Sequence, residues 1–309
     1  MKKDQAIEEN AEKYFQELAN PESSEQQIDN TDDVTQFRDL PLASLPFGKF
    51  YHPGFRIQFR AALVEEIQHY STIENENPYD IRNKLDDILK ACIKVELPNK
   101  KRGSYKDLKI GDRMYIIFTI REITFQKGPQ LSLPVVCPKK KCGHNFNIEL
   151  IRQNIELHEE TEDVWKFYDP AYQGFLFNVE FSDQPFIIAP PSIGLQKDFS
   201  DWVQDKVFKK EEYNKSMVKI APYMIGKNTV KFEDIDELNS QFDQIDFEEF
   251  QFLNDVVTKF RQNDFKLGVK GLVQKCPKCG SEVRTTNFFP ARASDIFIIP
   301  NAFEHYLKK

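Results

Sequence analysis

The chain has 309 residues, 40% hydrophobic and 13% aromatic, with 27 phenylalanines and a net charge of −7. This fits a globular protein with a real core in one large domain or two ordinary ones, and no apolar run is long enough to cross a bilayer. The charge sits at one end: residues 1–36 hold ten Asp/Glu against three Lys/Arg, while the rest has 39 of each sign, so the body lacks the basic footprint of a nucleic-acid binder.

Residues 1–36 read as an acidic flexible arm, with Ile7, Ala11, Tyr14, Phe15 and Leu18 spaced for a short amphipathic helix that Asn20-Pro21 would end. The start "MKKDQAIEENAEKYF" has no apolar h-region, so a cytosolic chain is expected. Five cysteines in such a chain argue for thiols or metal rather than disulfides.

Residues 37–130 read as a hairpin plus helical domain. Pro41, Pro46, Gly48, Pro53 and Gly54 punctuate the chain, and Phe50-Tyr51 with Phe55, Ile57 and Phe59 predict the two hairpin strands. "ALVEEIQHYS" turns helical. A second helix is predicted over "NPYDIRNKLDDILKACIKV", capped by Asn77 before Pro78, with Ile81, Leu85, Ile88, Leu89 and Cys92 as its apolar stripe. Cys92 is thus expected in the core. A third helix spans "KIGDRMYIIFTIREITFQKG", with Asp112 at its start, Met114, Ile117, Phe118 and Ile120 burying it, and Gly128 after its end.

The strand "LSLPVV" then enters "CPKKKCGHNF", and "HNFNIELI" leaves it as a strand. "GFLFNVEF" and "PFIIAPP" predict two strands joined at Ser182-Asp183. Helical pattern follows in "LQKDFSDWVQDKVF", "EEYNKSMVKIAPYMI", "FEDIDELNSQF" and "DFEEFQFLNDVVTKFRQND", the last with Phe247, Phe250, Leu253 and Val257 on one face. Trp165 and Trp202 read as core or interface anchors. The final segment returns to short strands around "CPKCG".

Cys276 and Cys279 have zinc-knuckle spacing followed by Gly280; Cys137 and Cys142 are a looser knuckle followed by Gly143. Each knuckle lies between strands, so the two predict a zinc ribbon built from residues 131–150 and 266–300, with one structural zinc on Cys137, Cys142, Cys276 and Cys279. His144 is the rival ligand, replacing Cys142. Residues 143–275, 133 in all, separate the knuckles. Closing a flexible loop of that length costs about 4 kcal/mol, against roughly 10–16 kcal/mol from a structural zinc. Residues 151–265 therefore read as a strand-then-helix insert. The fold class is α+β: an N-terminal β-hairpin and helices, a zinc ribbon from two distant Cys knuckles, and a mainly helical insert.

Other chemistry is thin. "GKNTVKF" at Gly226 lacks a phosphate-loop pattern, no HExxH or G-x-S-x-G occurs, and Asp234 and Asp236 lack calcium-loop spacing. A four-thiolate site leaves no open position for metal-dependent hydrolysis. "CPKKKC" and "PNKKRGSYK" supply the local positive charge a zinc-ribbon nucleic-acid protein would use.

The order "LPFGKFY", a helix with Glu65 and Glu66, "IGDRMYIIFTIREITF" with Gly111, Asp112, Arg113 and Arg121, a Cys knuckle, a helical segment, "CPKCG" and "NFFP" resembles the baseplate hub assembly proteins of T-even-like contractile-tailed phages, over roughly residues 40–290. The four-residue gap in the first knuckle and the acidic arm depart from that pattern. The resemblance implies a non-enzymatic assembly factor or component of the tail baseplate, with hub or baseplate proteins as partners, no nucleic acid and no membrane. It would act in the host cytoplasm during assembly, or in the virion tail. Its working surfaces are expected around Phe47–Tyr51 and in "NFFPARASDIFIIP".

Overall fold

The computed structural model describes residues 36–74, 77–126, 131–150, 154–157, 162–180, 185–224, 235–261, 267–269, 272–285 and 293–297. The acidic arm up to residue 35, Gly128, Ser182-Asp183, Gly226, Asp234 and "NFFP" lie outside them.

The first strands are β1 (Arg38–Leu40), β2 (Arg56–Phe59) and β3 (Ile93–Glu96), an antiparallel sheet in that order. Register places Leu40 against Ile57, Ile57 against Val95, and Phe59 against Ile93. These side chains form the buried face, while Asp39, Arg56, Gln58, Lys94 and Glu96 take the other. The hairpin strand expected at Phe50-Tyr51 is instead a 3₁₀ turn, Gly48–Phe50, and Arg38–Leu40 supplies the partner strand. In a strand Phe47 and Phe50 would face opposite ways. The tight turn puts residues three apart on one side, so both rings are buried, 6.1 Å apart.

Helix α1 (Val64–Ser71) starts where the Leu63 N–H donates to Glu66 Oε2 at 2.7 Å. Helix α2 (Pro78–Cys92) has the expected cap, with Asn77 Oδ1 accepting from the Tyr79 and Asp80 amides. Leu85, Ile88, Leu89 and Cys92 are buried along it. The helix was expected to reach Val95 but stops at Cys92, because Ile93-Lys94-Val95-Glu96 alternates with period two and pairs as β3. Helix α3 (Asp112–Thr124) is buried from Tyr115 through Arg121. It runs through the first core, so its sequence is apolar all round rather than striped.

The Gly-Asp-Arg start of α3 locks three elements together. A Cβ on Gly111 would lie 1.8 Å from the Phe47 ring, so only glycine admits that ring. Fully buried Asp112 accepts from the Phe47 N–H at 2.9 Å and the Tyr51 hydroxyl at 2.8 Å. The Tyr51 oxygen accepts from the Lys109 N–H at 2.8 Å. Arg113 pairs with Asp86 of α2 at 3.1 Å, both largely buried. Burial outweighs their attraction, raising the Asp86 pKa and lowering that of Arg113.

Beyond β4 (Leu131–Val136), β5 (Asn145–Leu150) and β6 (Ile155–Leu157), a second core forms. Its members come from α4 (Glu162–Trp165), the sheet β7 (Tyr168–Asp169), β8 (Gly174–Phe177) and β9 (Phe186–Ile188), and helices α5 (Ile193–Lys209), α6 (Lys215–Ile220), α7 (Ile235–Phe242) and α8 (Phe247–Lys259). Phe47 and Phe50 belong to this core, whereas Tyr51 belongs to the first. Trp165 packs here beside Phe50 and Phe175, and Trp202 stacks edge-on to Tyr213. On α8, Leu253 and Val257 are buried as the periodicity predicts, but Phe247 is 72% exposed. It occupies the first turn, ahead of the packed stretch.

The last strands are β10 (Leu267–Val269), antiparallel to β6, and β11 (Val273–Lys275) with β12 (Glu282–Arg284). The segment Ala293–Ile296 then returns to the first core. Ala293, Ile296 and Phe297 are buried, Phe297 meets Tyr70 edge-on at 5.1 Å, and the Tyr70 hydroxyl donates to the Ala293 carbonyl at 2.8 Å.

Two predictions follow from the α3 lock. Gly111→Ala must displace a buried ring and is expected to cost about 1–3 kcal/mol, read as a lower urea midpoint with an unchanged slope. Burial, opposed by the hydrogen bonds from Phe47 and Tyr51 and by Lys109, pushes the Asp112 carboxyl from 3.8 up to about 7. The folded state then holds a proton that the unfolded state has lost. Stability from this group is full below about pH 4 and falls as pH rises to 7, by on the order of 4 kcal/mol. The pH profile of wild type minus that of Asp112→Asn should show this falling limb.

Candidate metal centre

Strands β4 and β5 form a hairpin whose last pair is Val136 opposite Asn145, and β11 and β12 form a shorter one ending at Lys275 opposite Glu282. A cysteine follows the first strand of each. The Cys137 N–H donates to the His144 carbonyl at 3.0 Å, and the Cys276 N–H to the Ser281 carbonyl at 2.8 Å, which carries each ladder one step into its knuckle. Gly143 and Gly280 close the turns at φ +53° and +71°. Open space lies where a Cβ would sit on either, so backbone conformation, not crowding, calls for glycine. The four-residue gap of the first knuckle is taken up by a turn in which Cys142 N–H donates to the Lys139 carbonyl at 2.9 Å and Lys141 also adopts a left-handed φ, +74°.

The two knuckles meet. The sulfurs of Cys137, Cys142, Cys276 and Cys279 all lie within 4.8 Å of one another. Across the hairpins, Cys137 Sγ is 3.6 Å from Cys279 Sγ, and Cys142 Sγ is 3.8 Å from Cys276 Sγ. Bonds of about 2.3 Å from a tetrahedral zinc would set sulfurs about 3.8 Å apart, so the donor set fits such an ion. Cys137 and Cys276 are buried on Val283, with Val135 and Phe146 packed alongside. His144 lies outside this group of four; its ring stacks on Phe146 with centroids 6.3 Å apart.

The electrostatics ask for a cation. Hydrogen bonds from the Ser281 side chain and backbone pull the Cys279 thiol down to about 6. At Cys137 the Lys139 backbone favours the thiolate, but burial and the other three sulfurs hold its pKa up at about 12. Four adjacent thiolates repel, and only a bound cation lets all four ionise together. Cys92 stands apart, buried in the first core with its thiol pushed up to about 12 by burial and the Glu66 carboxylate, as its place on the α2 stripe predicts. The packing floor, Val283, is legible only as the apolar residue between Glu282 and Arg284.

The first stretch expected to be a contact surface is core instead, and the described part of the second, 293–297, packs inward as well; the rest of the second lies outside the described residues. Phe47, Phe50 and Tyr51 are buried across two cores, and Ala293, Ile296 and Phe297 seal the first. Among the described residues the exposed large apolar side chains lie elsewhere and include Phe208 at 87%, Phe247 at 72%, Val64 at 71% and Val207 at 61%, with Val136 and Val273 in the two hairpins that carry the cysteines. Among the described residues no helix is long and apolar enough to cross a membrane.

Neither the curated proteins nor the solved structures contain a significant match to this sequence. A family model described as the T4 bacteriophage base plate protein matches residues 42–290, a span that begins before the Phe47 turn and ends after the second knuckle. That span is most of the sequence, and the chain belongs to the T4 bacteriophage base plate protein family.

Proposed function

We propose that this chain is a non-enzymatic building or assembly protein of the baseplate hub in a contractile phage tail, held in shape by one structural zinc. The family match over residues 42–290 carries the baseplate role. The hub, and a task in assembly, are the narrower part of the reading. It rests on the motif order from "LPFGKFY" to "NFFP" and on a chemistry that offers a closed thiol site.

Cys137, Cys142, Cys276 and Cys279 would hold the zinc. Bound there, it would neutralise the thiolates and staple two hairpins that meet from distant parts of the chain. Such a site has no position left for water or substrate, so the metal serves the fold. Partners would be other baseplate proteins, engaged through the surface of the body, first in the host cytoplasm and then in the tail.

Purified protein is expected to carry one zinc per chain. Cys276→Ser should lose the metal and melt markedly lower, because a buried ligand is gone and the remaining thiolates repel. Full zinc content and unchanged melting in that variant would sink the four-thiolate site. Separately, a tagged chain expressed during infection should co-purify with tail baseplate proteins; recovery of nucleic acid without them would move the protein to the zinc-ribbon DNA or RNA binders.

A further inference from the structure

The outer face of the N-terminal sheet carries a groove of about 640 Å³. Arg56, Lys90, Lys94, Lys100 and Arg102 line it, against one carboxylate, Glu96. All five cations are exposed. Asp39 pairs with Arg56 at 3.2 Å, and Lys94 lies 3.8 Å from the Phe37 ring centroid. Among the described residues, Lys90, Lys100 and Arg102 have no carboxylate within ion-pair distance. The sequence after residue 36 is balanced in charge, so an excess of this size on one face is a local feature.

The groove wall is built, not loose. The Leu97 N–H donates to the Lys101 carbonyl and the Lys100 N–H to the Leu97 carbonyl, both at 2.9 Å. Lys100 sits at φ +59°, a left-handed conformation uncommon for lysine. The Gly103 N–H donates to the Val95 carbonyl at 2.9 Å, and the backbones of Glu96 and Arg102 pair antiparallel. This return segment pairs with the Val95–Leu97 end of β3, so at that end a ligand would meet side chains on the sheet face rather than extend the sheet.

We infer that this groove binds an acidic, extended segment of a neighbouring baseplate protein, an inference that rests on the baseplate role proposed above. Charge complementarity selects an acidic ligand. Glu96 within the lining disfavours the dense charge of a phosphate backbone, while a peptide offers it N–H donors. Half-buried Tyr105 is the one aromatic in the lining, so there is no row of exposed rings on which bases could stack.

The test uses the full chain and a fluorescent Glu-Ser repeat peptide. Wild type should bind it, more weakly as salt rises, and Lys94→Glu with Arg102→Glu should weaken binding about tenfold or more. Both residues are exposed, so metal content and melting should stay at wild-type values, which separates failure of the groove from failure of the fold. No binding by wild type, equal binding by the variant, or tighter binding of duplex DNA than of the peptide would overturn the proposal. Co-purification with baseplate proteins is read in a separate experiment, so the groove can fail while the baseplate role stands.

Discussion

One buried carboxylate organises the body of this protein. Asp112 takes the Phe47 amide and the Tyr51 hydroxyl, and so fixes a five-residue turn against the start of α3. The turn then sends Phe47 and Phe50 into one core and Tyr51 into the other. The preceding Lys109 extends the junction: its ammonium donates to the Pro190 carbonyl at 3.1 Å, and the Ile110 N–H to the Pro191 carbonyl at 3.0 Å. The two cores are thus held in register by hydrogen bonds, of which those to Asp112 are fully buried. Such a junction is sensitive to single changes, because losing one partner leaves the other buried and unsatisfied.

That junction explains why the sequence motifs are spaced as they are. "LPFGKFY" and "GDR" are far apart in the chain but form one object. Gly111 makes room for the Phe47 ring, Asp112 holds the backbone beneath it, and Arg113 reaches Asp86 on α2. A family that preserved this arrangement would preserve the two strings together, whatever the protein does. The motifs that carry the resemblance are therefore largely statements about folding.

What could be read in the sequence follows the same division. Local signals were sufficient for α2, where Asn77-Pro78 and a regular apolar stripe agree, and for the knuckles, where Cys-Pro and Cys-Gly pairs fix the turn chemistry. They failed where tertiary contacts decide. Phe50-Tyr51 looks like a strand because aromatic residues favour strands; two waiting pockets make it a turn. "NFFPARASDIFIIP" reads as a contact surface, yet its described residues, 293–297, pack on Tyr70 of α1. Phe247 reads as the first member of a helical stripe, but a stripe does not say where packing begins.

The thiol cluster has to be weighed against how little else joins its halves. Strands β11 and β12 are three residues each, and Val283 is the buried aliphatic residue of the small core around the sulfurs. A two-stranded hairpin of that size is marginal in water. The longer hairpin of β4 and β5 gains support from Leu131, Leu133, Ile148 and Leu150, which join the first core. Within the second hairpin itself no described residue joins that core; its anchors flank it, Leu272 before and Ala293, Ile296 and Phe297 after. Those flanks fix its ends, and the turn that carries Cys276 and Cys279 meets the first hairpin through the four sulfurs, Val283, Val135 and Phe146. A four-thiolate zinc bound there would supply a grip where hydrophobic burial does not.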